Sequence, residues 1–206
     1  IELYNGTFRF GRKSNATTYS SEYNMAVPGT YDFQAVATTT DGTKTMTKTY
    51  TVSYITDSPA GTYPGGVPKM GAVKNADGTV TFCIAAPGKK NVMLVGAWSN
   101  YSTIANQCEM KYQDYNGQRY FFRTVSDLQE NTWYPYYYIV DGITKVGDPY
   151  AHMVLDPYSD KWLDSSIWPD MPKYPYEKFD DTMMAVYRGD LDGNYKFSDF
   201  TIPDHR

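Results

Sequence analysis

The chain has 206 residues, of which 41% are hydrophobic and 20% charged, a composition typical of folded globular domains rather than disordered chains. Its formal net charge of −4 argues against nucleic acid and anionic membranes as partners, because both require a basic face. The apolar runs are too short to cross a bilayer, so the sequence predicts no membrane span.

Residues 1–58 have the alternating pattern of antiparallel strands joined by a tight turn. Apolar and polar side chains alternate over residues 31–37, as in a half-buried strand. Asp41-Gly42 predicts a hairpin turn after it. The return strand carries four apolar side chains on one face, at Met46, Tyr50, Val52 and Tyr54. We expect an immunoglobulin-like β-sandwich here, incomplete because the region is short for such a domain.

Residues 59–69 are rich in proline and glycine and predict a linker, because such a segment forms neither a helix nor a central strand. Beyond it, short apolar runs and turn dipeptides recur through residues 70–165 at the spacing of a second sandwich. The run 92–95 is apolar on both faces, as expected of a central strand. The predicted fold class is therefore all-β, with two immunoglobulin-like β-sandwich domains in tandem and an extended C-terminal tail.

The tail is assigned to residues 166–206, which are rich in Pro, Asp and Tyr. A segment of this composition tends to run extended over another surface, so we expect a neighbouring domain beneath it, with Trp162 and Trp168 packing the tail. The stretch 190–194 alternates oxygen-bearing side chains like a calcium loop, but the later positions lack the expected glycine and acidic ligand. A solvated turn is the favoured interpretation, and no metal site or cofactor is predicted.

Nothing in the sequence indicates a catalytic centre. The two histidines, His152 and His205, have no metal-ligand spacing, and there is no phosphate loop or nucleophile elbow. Cys83 and Cys108 can pair once or remain as buried free thiols, and the second interpretation is favoured. The 21 tyrosines suit both β-strands and sugar-binding surfaces.

An ordered set of short motifs lies between residues 70 and 165. The motifs are Phe82-Cys83-Ile84-Ala85-Ala86-Pro87, Gly96-Ala97-Trp98-Ser99-Asn100-Tyr101, Asn116-Gly117 followed by Tyr120-Phe121, Tyr136-Tyr137-Tyr138-Ile139-Val140-Asp141-Gly142, and Asp148-Pro149-Tyr150-Ala151. Together they resemble carbohydrate-binding module family 48, the isoamylase-type N-terminal domain of family 13 glycoside hydrolases.

This resemblance implies the non-catalytic N-terminal region of a secreted α-amylase-like enzyme of the Bacteroidetes type. The chain would then be extracellular, at the cell surface or periplasmic. Its partners would be the downstream catalytic barrel of the same polypeptide and an α-glucan such as starch. The alternative is a stand-alone glycan-binding or spacer module of a cell-surface protein.

The resemblance also implies a carbohydrate-binding set made of Tyr101, Trp98, Asn100 and Tyr137. Tyr101 stands where the family has a tryptophan that stacks on a sugar ring, and it can be either a sugar platform or a packing residue. Tyr137 replaces the family's lysine, and Thr144 stands at the place of a second tryptophan. Two of the three binding features therefore differ from the family pattern, while Trp98 is expected to fill the core.

Overall fold

The computed structural model describes residues 1–167 and 169–191. Within them the chain forms thirteen strands in three antiparallel sheets, and helix is limited to single turns, so the predicted all-β fold class is confirmed. Trp168, His205 and most of the stretch 190–194 lie outside these residues. No helix in the described part of the chain is long and apolar enough to cross a membrane.

The N-terminal region forms one antiparallel sheet of four strands. These are β1 (Glu2–Asn5), β2 (Phe8–Arg12), β3 (Gly29–Thr38) and β4 (Thr45–Tyr54), in the order β2-β1-β3-β4. The predicted Asp41-Gly42 turn joins β3 to β4, with Gly42 at a φ of 73° that favours glycine. The described residues of this region contain a single sheet where a sandwich was predicted.

One face of this sheet is aromatic and is covered only in part. Tyr23, from the segment between β2 and β3, lies across it, 5.0 Å from the Phe10 ring and 5.3 Å from the Phe33 ring. The apolar side chains of β4 on the same face stay outside this cover, and Met46 is 72% exposed. The region therefore buries only part of its apolar surface.

The remaining strands form a two-sheet sandwich. The first sheet has β5 (Gly71–Lys74), β6 (Val80–Ala85), β8 (Lys111–Tyr115) and β9 (Gln118–Val125), in the order β5-β6-β9-β8. The second has β7 (Val92–Gly96), β10 (Tyr134–Val140), β11 (Thr144–Val146), β12 (Met153–Leu155) and β13 (Met184–Tyr187). A one-turn helix, α1 (Ala105–Cys108), follows β7.

The main core lies between these two sheets. Phe82 and Phe121 enter it from the first sheet, and Leu94, Tyr136 and Tyr138 enter it from the second. Each is almost completely buried, and burial of one such side chain contributes roughly 1.5–3 kcal/mol. The packing of large β-formers between two sheets accounts for much of the aromatic content.

The strand β7 corrects one prediction. Its five residues are buried as expected, but among the described residues it pairs only with β10, so it is not a central strand. Its free edge is covered, because Met93 forms an isolated bridge with Glu109 and the Met110 N–H donates to the Val92 carbonyl at 3.0 Å. Burial on both faces therefore comes from this cover rather than from a central place in the sheet.

The predicted boundary at residue 165 is wrong. Residues 184–187 form β13, which pairs with both β10 and β12, so part of the predicted tail belongs to the second sheet. All four residues of β13 are buried, and this short apolar run has the length of an ordinary strand. Trp162, expected to pack the tail, is instead 79% exposed.

The predicted linker 59–69 is packed against the sandwich. The Gly61 N–H donates to the Tyr112 carbonyl at 2.8 Å, and Tyr63 is buried over Cys83 and Phe122. The segment thus covers the outer face of the first sheet. The segment forms neither a helix nor a central strand, as predicted, but Ala60 makes an isolated parallel bridge with Tyr112 at the edge of the first sheet.

Both cysteines are buried free thiols, as favoured from the sequence. Cys83 lies on the outer face of the first sheet, and Cys108 packs on the outer face of the second. Their separation on two different surfaces explains why they do not pair.

Candidate carbohydrate-binding surfaces

A tight turn after β7 sends two aromatic side chains to opposite sides of the second sheet. Asn100 and Tyr101 have φ values of 53° and 61°, in the left-handed region. A Cβ at Gly96 would lie 2.3 Å from the Trp98 ring, so only glycine leaves room for that ring. Trp98 therefore folds back over β7 towards the core, while Tyr101 packs with the cluster on the outer face.

Three of the four predicted site residues meet on this outer face. The rings of Tyr101 and Tyr137 both contact Phe179, with centroid distances of 5.0 and 5.7 Å. The Lys178 ammonium group donates to the Asn100 side-chain oxygen and lies 5.6 Å from the centre of the Tyr101 ring. Residues 174–179 thus form a strap over the predicted site, which we call the 174–179 strap.

The strap makes the packing interpretation of Tyr101 the better one. Tyr137 is only 2% exposed, and Tyr101 is partly buried. Burial, with a smaller contribution from the Glu177 charge, raises the pKa of Tyr101 to about 12. Phe179 and Lys178 therefore occupy space around the Tyr101 ring that a sugar would need.

Trp98, the fourth predicted residue, lies apart from the other three. Its ring centre is 5.0 Å from that of Phe82 and 6.2 Å from that of Tyr136, so it packs against the edge of the main core. Trp98 is only partly buried, however, and one side of it faces outward beside Tyr134.

A groove of about 500 Å³ opens at that side, and we call it the Trp98 groove. Its lining includes Trp98, Gln107, Arg123, Asp127, Leu128 and Tyr134. These residues come from the turn after β7, from α1, from β9, from the loop that leads into β10 and from the first residue of β10. Because they are distant in sequence and follow no periodic pattern, sequence reasoning found only Trp98.

A buried carboxylate links two of the sequence motifs. The hydroxyls of Tyr136 and Tyr138 donate to the Asp148 carboxylate at 2.8 and 3.0 Å, and the Tyr150 N–H donates to its other oxygen at 2.8 Å. Asp148 is 3% exposed. Burial first, and then the charge of Asp148, raises the pKa of Tyr136 well above its ordinary value. This network fixes the chain where it leaves β11 and has a structural rather than a catalytic geometry.

Comparisons with known proteins give the chain no family. No protein-family model matches it, and no curated protein matches its sequence. The resemblance to a carbohydrate-binding module therefore rests on the motifs themselves and on where they lie in the fold.

Proposed function

We propose that this chain is the non-catalytic N-terminal region of a secreted glycoside hydrolase that acts on α-glucosidic bonds, and that its sandwich supports the catalytic barrel. The observation that carries the proposal is the Asp148 network. It joins the Tyr-x-Tyr strand to the Asp-Pro-Tyr-Ala segment, two motifs on which the resemblance rests.

The network supports the resemblance because it gives the two motifs a common physical cause. Tyr136 and Tyr138 need a buried acceptor, and Asp148 provides one only if the segment after β11 turns back to them. A buried carboxylate in turn needs several donors to offset its desolvation. The residues of the two motifs therefore depend on each other, which a chance match would not require.

An exposed apolar surface supports a partner domain. Tyr158, Trp162 and Ile167 lie in one short segment and are 64%, 79% and 68% exposed, as expected of side chains that a partner domain covers. Their segment is held in shape, because Asp156 accepts hydrogen bonds from the Tyr158 N–H and the Ser159 hydroxyl. We assign this surface to the contact with the barrel.

The native gene provides the first test. The proposal expects an alternating strand–helix pattern of about 200 residues or more downstream of residue 206, as in a (β/α)₈ barrel. A gene that encodes no such pattern would contradict the hydrolase assignment and favour a spacer.

The second test uses the full-length protein with Trp162→Ser and Ile167→Ser together. We expect the melting temperature of the barrel to fall, because the two domains lose apolar contact area. Tyr50→Ser, at an exposed position of β4, is the matched control and should leave the barrel unchanged. If the native protein, the double variant and the control have equal melting temperatures, Trp162 and Ile167 do not contact the barrel.

A further inference from the structure

We propose that the Trp98 groove binds a neutral oligosaccharide, on the side of the second sheet opposite to Tyr101. The location follows from the groove itself. The identity of the sugar as an α-glucan rests on the proposed function.

The apolar part of the groove suits a sugar ring. Trp98 and Tyr134 stand 6.4 Å apart, centre to centre, at an angle of 52°, and Leu128 lies beside them. Sugar C–H groups pack against such aromatic surfaces. The volume of about 500 Å³ falls within the roughly 300–1,000 Å³ of small-ligand sites.

The polar part of the groove has hydrogen-bonding capacity that the protein does not use. Among the described residues, neither the Trp98 indole N–H nor the Gln107 amide makes a hydrogen bond, although both groups belong to residues that line the groove. Asp127 accepts one bond, from the Ser126 hydroxyl at 2.7 Å, and keeps further acceptor capacity. Such planar donors and acceptors match the hydroxyl groups around a sugar ring.

Arg123 is held in position at the groove by backbone carbonyls. Its guanidinium donates to the Glu109 carbonyl at 2.7 Å and to the Asn106 carbonyl at 3.1 Å. Partial burial lowers its pKa below the ordinary value, but the group remains charged. Because the side chain is held by backbone, little further ordering is needed when a ligand binds.

The charges of the lining favour a neutral ligand. Arg123 brings one positive charge and Asp127 one negative charge to the lining of the groove. The two charges balance, so the groove gives no net attraction to a phosphorylated or acidic sugar. Asp127 also has a φ of 64°, in the left-handed region, where glycine can replace it without backbone strain.

The test is a calorimetric titration with maltoheptaose, which measures the Kd of the native protein and of four variants. Asp127→Gly removes the carboxylate and suits the positive φ, Gln107→Ala removes the free amide, and Trp98→Phe keeps a ring in the core. Each should raise the Kd about tenfold, the effect expected for one lost hydrogen bond or stacking contact. Lys178→Ala, in the 174–179 strap, is the control and should leave the Kd unchanged.

The other outcomes separate the site from the proposed function. A Kd that changes only in Lys178→Ala, or in none of the variants, would overturn the groove as the binding site. If the protein binds neither maltoheptaose nor cellohexaose, the groove is not a sugar-binding site. The proposed function is tested separately, by the melting temperature of the barrel. Binding of cellohexaose alone, weakened by the groove variants, would support the groove and contradict an α-glucan role.

Discussion

Phe179 lies edge-on against Tyr101, with ring centres 5.0 Å apart and ring planes at 75°. The same Phe179 ring contacts Tyr137 on the neighbouring strand. One residue from the 174–179 strap therefore covers both tyrosines of the predicted sugar site. Because the strap covers it, the outer face of the second sheet packs like a core and is not an open binding surface.

Phe179→Ala should destabilise the protein by about 2 kcal/mol, because it opens a cavity over Tyr101 and Tyr137. Urea unfolding measures the change. The pKa of Tyr101 should also fall from about 12 towards its ordinary value of 10.0, since burial is its main cause. Phe8→Ala is the control, as Phe8 is 63% exposed. If both variants lose equally little stability, the strap does not pack as described.

The Asp148 network should contribute more than its separate bonds suggest. Tyr138→Phe removes one hydroxyl and should cost about 1–2 kcal/mol, whereas Asp148→Ala leaves two buried hydroxyls without an acceptor and should cost about 3 kcal/mol or more. Thermal and urea unfolding give both values. Tyr50→Phe, at an exposed position of β4, is the matched control. An Asp148→Ala loss no larger than that of Tyr138→Phe would argue against a shared acceptor.

Neither thiol should react in the folded protein. Burial raises the pKa values of both Cys83 and Cys108 to about 12, so almost no thiolate exists at pH 8. A thiol-reactive chromogenic disulfide should therefore label both cysteines only after unfolding in guanidinium chloride. Rapid labelling of one equivalent in native buffer would mean that one cysteine is exposed.

The hairpin between β3 and β4 should keep its carboxylate charged in strong acid. Asp41 accepts hydrogen bonds from the Thr39 hydroxyl at 2.5 Å and from the Thr43 N–H at 3.1 Å, which lower its pKa to about 2. Because the unfolded chain protonates near 3.8, this contribution to stability is complete above that pH and disappears as the pH falls through about 2.

Carbon-detected NMR titration of the Asp41 carboxyl measures this pKa directly. Asp41→Asn identifies the resonance and removes the low transition. A midpoint close to 3.8 would show that the turn does not hold the carboxylate as described.

Local signals predicted most strands of the sandwich, and non-local packing decided the rest. The hairpin strands β8 and β9 meet at Asn116-Gly117, where neighbouring residues alone determine the turn. By contrast, β13 is a short run within a Pro- and Asp-rich segment, and only its pairing with β10 and β12 makes it a strand. Its apolar residues were visible in the sequence, but their partners were not.

The candidate sites show the same limit. Tyr101 and Tyr137, taken from two separate sequence motifs, lie in one apolar cluster on the outer face of the second sheet. Their cover by Phe179 could not be predicted, since it depends on how a segment without periodicity returns across the sheet. The Trp98 groove was missed for the same reason, because Gln107 and Asp127 belong to short irregular segments.

The place of β13 in the second sheet has a consequence for how the protein is made. During synthesis, Tyr134–Val140 leaves the ribosome well before Met184–Tyr187, and until then β10 lacks its neighbour at Tyr134, Pro135 and Tyr136. The nascent chain therefore carries an open strand edge, a known starting point for aggregation, for the whole of that interval. Any recombinant fragment that stops before Tyr187 would preserve this unfinished state permanently.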